Sequence, residues 1–253
     1  METITTKLSW AGVRVNAGGE QLLIDALEGR NGEVQARLGA EHRALIEVAT
    51  GPVGVALLTH THKDHYDADL LRRRLAPGAT VVVPAESAGG VRDAGFKAHA
   101  LNPYEQVKLG AFQITALPSV DGFGAPQVAW LVEAPGARLL HFGDTLFHGF
   151  WWQIAKVAGA VDAAFFPING ARIAIPGLPP TGLPGVLTAE QAAVAARLLQ
   201  PKLAVPMHYE EFNRPPIYNP DLHAEATFLD HTARQGIKAR VFAPGEVVHA
   251  GQG

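Results

Sequence analysis

Leu57-Leu58-Thr59-His60-Thr61-His62-Lys63-Asp64-His65-Tyr66 places three histidines and a carboxylate within six residues, directly behind the apolar run Val53 to Leu58. The run has strand length, and a polar cluster at the end of a buried strand is where α/β proteins gather site residues. His60 and His62 are two apart, so in extended chain their imidazoles point to one side. Asp64 and His65 follow where the chain turns into the helix expected from Asp67-Ala68-Asp69-Leu70-Leu71, and the turn aims them at a second point near the first. Neutral imidazole and carboxylate are ligands of zinc, manganese and iron. A polar loop that only caps the next helix does not need three histidines at this spacing.

The pattern His60-x-His62-x-Asp64-His65 resembles the signature of the metallo-β-lactamase superfamily of metal-dependent hydrolases. The flanking Leu58-Thr59 and Tyr66-Asp67 are most similar to its ascorbate-phosphate-lactonase-like branch, and partial matches run from about Leu23 to His208. The resemblance implies an α/β (α+β) fold, a four-layer αββα sandwich of two mixed β-sheets with helices on the outer faces. It also implies a site for one or two metals at the edge between the sheets.

The chain has 253 residues, 47% hydrophobic and 18% charged, enough for one sizeable core. No linker or charge block divides it, so residues 1–253 are expected to form one domain. The net charge is −3 and the only basic run is Arg72-Arg73-Arg74, which argues against long nucleic acids as partners. Cysteine is absent, so neither a disulfide framework nor a thiolate ligand can form. Superfamily members that destroy β-lactams commonly place a cysteine at the second metal, which this chain cannot do. Residues 1–25 hold no basic segment followed by an apolar core, and no apolar run reaches membrane-spanning length. A soluble cytoplasmic protein acting on a small molecule, without membrane contact, is expected; a homo-oligomer is left open.

Ile4 to Trp10, Val13 to Asn16 and Gln21 to Asp25 read as strands, with Ala17-Gly18-Gly19-Glu20 as a hairpin turn. Ala36 to Val48 has helical character, and His42 within it reads as a surface residue. Thr80 to Val83 and Phe96 to Leu101 read as strands around a helix at Glu86 to Ala94, the alternation of a βαβ half. From Gln106 a β-meander follows, with strands at Gln106 to Leu109, Phe112 to Leu117, Gln127 to Glu133 and Arg138 to Phe142. Phe147 to Val157 reads as an aromatic-rich helix and Ala163 to Ile168 as a buried strand. Thr188 with Gln191 forms a capping box for a helix at Ala189 to Leu199. Lys202 to Pro206 is a strand, Pro220 to Gln235 the last large helix, and Lys238 to Phe242 and Val247 to His249 two closing strands.

The remaining site residues follow from the resemblance. Asp25 matches an acidic position that supports the metal loop without ligating; the alternative is an ordinary turn or capping aspartate. Asp121 stands where the family usually supplies a third histidine. Its carboxylate is expected to ligate and to favour manganese or iron more than a histidine would; the alternative is that it only shapes the turn with Gly122. Asp144, in Gly143-Asp144-Thr145, resembles the metal-bridging aspartate, and His208 resembles the last ligand histidine. One metal is thus expected at His60, His62 and Asp121 and a second at Asp64, His65 and His208, with Asp144 shared and Asp64 also handling a proton. The cofactor expected is two divalent ions, zinc foremost, with manganese or iron next. His141 reads as a packed strand residue, and His148 as an exposed first-turn residue or part of the site rim. Asn169, Arg172 and Tyr209 are the expected substrate contacts. Arg172 is the one charged residue of a loop to Leu187 with four prolines and four glycines, suited to an anionic group; the alternative is an exposed solubilising arginine. The expected reaction is hydrolysis of an ester-like bond in a lactone or phosphorylated metabolite. Its rivals are a phosphodiesterase or nuclease on the same metals, and a non-catalytic metal-binding or sensing protein.

Overall fold

A computed structural model describes residues 2–29, 31–39, 45–49, 51–175, 177, 179–209 and 211–251. His42 and the middle of the expected helix at 36–48 lie outside the described residues. The first half runs β1 (Thr3–Lys7), β2 (Val13–Ala17), β3 (Glu20–Ile24), α1 (Gly32–Leu38), β4 (Val53–Leu57), α2 (Ala68–Arg74), β5 (Leu75–Pro84), α3 (Ala88–Asp93) and β6 (Ala98–Leu101). Then come β7 (Gln106–Leu109), β8 (Phe112–Pro118), β9 (Val128–Ala134), β10 (Ala137–His141), α4 (Trp151–Ala158), β11 (Ala163–Pro167), β12 (Arg172–Ile173), α5 (Ala189–Leu199), β13 (Ala204–Met207), β14 (Tyr218–Asn219), α6 (Ala224–Arg234) and β15 (Val247–Gly251).

These strands make a seven-stranded sheet in the order β15-β1-β2-β3-β4-β5-β6 and a six-stranded sheet in the order β13-β11-β10-β9-β8-β7. Each sheet joins an antiparallel part to a parallel one: β3, β4, β5 and β6 run parallel in the first, and β10, β11 and β13 in the second. The two-residue period of a strand sorts their side chains into layers. Leu22, Ile24, Val55, Leu57 and Val82 meet Ile114, Trp130, Val132 and Phe165 between the sheets. Their alternates Leu23, Ala56, Val81 and Val83 pack outward against Leu70, Leu71 and Val91 of α2 and α3. Leu131, Leu140 and Phe166 likewise cover themselves with Trp151, Ile154, Ala192 and Phe228 of α4, α5 and α6. The result is the αββα sandwich. Among the described residues no helix is long and apolar enough to cross a membrane.

Local chemistry explains the element ends. Gly18 and Gly19, with φ of +62° and +82°, turn the β2–β3 hairpin. Thr188 accepts from the Gln191 amide while the Gln191 side chain accepts from the Thr188 amide, closing the capping box of α5. Lys238 to Phe242 does not form the strand its pattern suggests. Ala204 of β13 accepts from Arg240 and donates to Lys238, but the next β13 residue on that edge is Pro206, which has no N–H, so the ladder stops after one bridge. The chain then carries Phe242 into the inter-sheet core. The sequence gives no signal for β12 and β14, which pair as a two-stranded ribbon.

Candidate metal centre

The loop from Thr59 to Tyr66 leaves the end of β4 between its parallel neighbours β3 and β5. Asp25, just past β3, fixes it. One carboxylate oxygen accepts from the Thr59 amide at 2.8 Å; the other accepts from Thr59 Oγ1 at 2.5 Å and lies 2.8 Å from His65 Nδ1. With the hydroxyl proton given to Asp25, Thr59 Oγ1 is left to accept from His60 Nδ1 at 3.0 Å. Both imidazoles therefore carry their proton on Nδ1 and turn Nε2 inward, the usual support of a ligand histidine.

The second sheet supplies the facing residues. Asp144 follows β10 across Gly143, whose φ is +58°, and its amide donates to Gln127 Oε1 at 3.2 Å. His208 follows β13, its ring 4.0 Å from that of Trp10. Asp121 accepts from the Phe123 and Ala125 amides through Oδ2, at 2.8 and 2.9 Å, which leaves Oδ1 to face His62 Nδ1 at 3.8 Å. Trp10 Nε1 donates to Asp64 Oδ2 at 3.1 Å. Trp10, Asp25 and His208 all have positive φ, of 56°, 43° and 59°, so left-handed backbone is concentrated around this site.

Three overlapping groups of possible ligands result among the described residues; in that of Asp25, His60 and His65 the carboxylate is taken up by Thr59 and His65, which leaves two. His60, His62 and Asp121 form one; Asp64, His65, Asp144 and His208 form the other, the candidate ligand atoms of each lying within 4.8 Å of one another. Asp144 lies between them. Its Oδ1 is 3.0 Å from His65 Nε2 and 2.9 Å from His208 Nε2, while Oδ2 is 4.0 Å from His60 Nε2. Although close, these groups are not aligned as hydrogen bonds. His60 Nε2, His65 Nε2, His208 Nε2, Asp121 Oδ1 and Asp144 Oδ1 are all buried without a hydrogen-bond partner. Such orphaned atoms are costly unless something binds them, and an all-nitrogen-and-oxygen set suits divalent zinc, manganese or iron. The residues fit the metals that the sequence leads one to expect.

Charge in the cluster points the same way. Burial and the neighbouring His65 lower the His60 imidazole to about 3, so it is neutral, the form that ligates. Burial opposes ionisation of Asp144, but His208 and His65 outweigh it and hold the carboxyl far below its usual range. Burial also opposes protonation of His65, yet Asp144, Asp64 and Asp25 raise it well above 6.5. A cation entering the second cluster therefore displaces protons from histidine. Asp121 is pushed upward, chiefly by burial.

The other expected residues are placed differently. Asn169 is buried and donates to Tyr218 Oη at 2.7 Å; Tyr218, not Asn169, lines the cavity over the clusters. Tyr209 donates to Glu225 at 3.1 Å and lines a separate pocket with Lys7 and Glu211. Arg172 is exposed, its Nε donating to Gly182 O at 3.1 Å, and does not line the cavity. His141 packs in its strand with Nε2 donating to Ala11 O at 2.7 Å, and His148 stacks on Trp151 at 4.7 Å. Trp10, Tyr218, Arg37 and Arg214 escaped the sequence reading. Only Trp10 had a local signal, an aromatic residue ahead of a tight Ala11-Gly12 turn.

A family model described as "Beta-lactamase superfamily domain" matches residues 20–209. A metal-dependent hydrolase of Lysinibacillus sphaericus is 26% identical over 94% of this chain and 95% of its own length. One from Rubrobacter xylanophilus is 30% identical over 77% of this chain and 76% of its own. Among solved structures, Igni18, a metallo hydrolase of the archaeon Ignicoccus hospitalis, superposes with a TM-score of 0.72 at 22% identity, over 98% of both chains; at that identity the likeness shows the fold alone.

Proposed function

The chain belongs to the β-lactamase superfamily domain family, and from that premise we propose a metal-dependent hydrolase of a small ester-like substrate, using two cations. The observation that carries the two-metal reading is Asp144, whose two carboxylate oxygens face different histidine clusters. His60, His62 and Asp121 would hold one ion, and Asp64, His65 and His208 the other, with Asp144 shared. When bound, such ions lower the pKa of a water toward neutrality and polarise a carbonyl or phosphoryl oxygen.

The chain's own residues do the rest. Asp25 and Thr59 hold His65 and His60 by Nδ1, so both turn Nε2 toward the clusters; His60 presents its lone pair as it stands, and His65 once its Nε2 proton is displaced. Trp10 holds Asp64 by one oxygen, leaving the other free to orient or receive a proton. Tyr218 accepts from Asn169 and keeps its own proton, because burial raises its pKa well above 10; it is a hydrogen-bond donor to whatever occupies the cavity. A lactone or phosphorylated metabolite suits a cavity of about 490 Å3 over the clusters, and a long nucleic acid does not.

The test couples metal analysis to a hydrolysis screen of lactones, thioesters and phosphodiesters. The wild-type protein should hold about two divalent ions and turn over at least one ester class. Asp144→Ala should lose metal and activity together; full metal content in that variant removes Asp144 from the centre.

A further inference from the structure

The cavity that opens on the clusters is walled beyond the proposed ligands mainly by apolar side chains: Leu38, Phe123, Ile173, Val186 and Ile217. Two cations interrupt this wall, Arg37 from α1 and Arg214 from the segment before β14. Arg37 is exposed and its side chain makes no hydrogen bond or ion pair with any described residue. Arg214 is half-buried and donates to the carbonyl of Ala36, the neighbour of Arg37, so the two residues adjoin in the cavity wall. Neither forms an ion pair with a carboxylate of a described residue. Arg214 satisfies one of five N–H donors through Ala36, and the planar fork of each arginine matches a carboxylate or phosphate. Two arginines without an acidic partner among the described residues, beside an apolar wall, are arranged for a molecule that is apolar along its body and anionic at one end.

We propose that the substrate is an anionic amphiphile. Its ester-like bond lies at the His and Asp clusters, its body lies on Leu38, Phe123, Ile173, Val186 and Ile217, and its carboxylate or phosphate is held by Arg37 and Arg214. This rests on the hydrolase reading above and names the substrate class for it. Arg172, tied to Gly182 and outside the cavity, takes no part.

Binding separates this inference from turnover. The metal-loaded protein is titrated calorimetrically with hexanoate, hexyl phosphate and 1-hexanol. Arg37→Ala, which removes no hydrogen bond to described residues, should weaken at least one anion about 10-fold, and Arg37→Ala with Arg214→Ala about 100-fold, the range for lost hydrogen bonds to a charged group. 1-Hexanol should change less than about twofold, since its contacts are apolar. The anion with the greater loss identifies the headgroup as carboxylate or phosphate. Arg172→Ala should change nothing, and Arg214→Lys keeps the charge without the fork if Arg214→Ala fails to fold. Equal losses for the alcohol and the anions, no loss in Arg37→Ala, or no anion binding by the wild type would overturn the proposal. A protein that binds anions through these arginines but hydrolyses no ester would instead sink the hydrolase reading alone.

Discussion

Gly143→Ala should be among the most damaging single-methyl additions in this protein. The backbone at Gly143 has φ +58°, and an added Cβ would sit 2.6 Å from Thr59 Oγ1 and 2.7 Å from Thr59 Cβ. Left-handed backbone costs a non-glycine residue about 1–2 kcal/mol, and forcing a methyl into a filled site typically costs about 1–3 kcal/mol more. Thr59 cannot swing away cheaply: it is fully buried, its hydroxyl is shared between Asp25 and His60, and its amide is bonded to Asp25. The expected loss is therefore about 2–5 kcal/mol, a large part of the roughly 5–15 kcal/mol that holds a domain folded. Gly18→Ala is the control. Its φ is +62°, but the nearest atom to an added Cβ is Ala111 Cβ at 3.6 Å, an ordinary contact, so only the backbone cost of about 1–2 kcal/mol applies. Urea unfolding of both variants, with metal content measured alongside, gives the comparison. Gly143→Ala should also weaken metal binding, since displacing Thr59 turns His60. If the two variants lose equal stability, the close approach of Gly143 to Thr59 does not matter and the reasoning fails.

Asp121→Asn separates that residue's two roles. Its amide oxygen can still accept from the Phe123 and Ala125 amides, so stability should stay within about 1 kcal/mol, while the NH₂ group replaces the oxygen facing His62. Metal affinity at the first cluster should fall by more than the roughly 10–100-fold that loss of a supporting partner costs; unchanged affinity would make Asp121 a turn residue only. Lys7 offers a pH test away from the metals. Burial lowers its ammonium to about 8 from 10.5, with Glu211 acting in the opposite direction. Below pH 8 both folded and unfolded chains hold the proton and the full penalty stands. Between pH 8 and 10.5 the unfolded chain binds more protons, so stability rises with pH, and above 10.5 the gain is complete at about 3 kcal/mol. Lys7→Met should lack this rise in urea unfolding measured from pH 7 to 10.5, and parallel profiles for the two proteins would refute it.

What could be read from the sequence was local or periodic. The β7–β10 meander, the capping box at Thr188 and the strand ahead of His60 are each specified by a few neighbouring residues, and the structure holds them within a residue or two. The His60-to-His65 cluster was visible because four of its residues share one loop. The cavity was not. Its wall combines α1, the Asp121 loop and the β12–β14 ribbon, and strands of two residues carry no period to detect. Arg172 drew attention as the one charge in an otherwise neutral loop, yet pairing with Asn219 places its backbone in the ribbon while its side chain reaches Gly182. The arginines that line the cavity come from segments whose proximity is purely tertiary.

Trp10, Asp25 and His208 have one more consequence, for protein engineering. A design procedure that chose residues by backbone fit alone would write glycine at all three positions, since each is left-handed. Doing so would remove the indole that holds Asp64, the carboxylate that orders His60 and His65, and the imidazole facing Asp144. Backbone preference and side-chain identity conflict at these positions and agree over most of the chain. In a relative too divergent to keep a readable histidine motif, three non-glycine residues in left-handed backbone, two from one sheet and one from the other, would still mark where the chemistry sits.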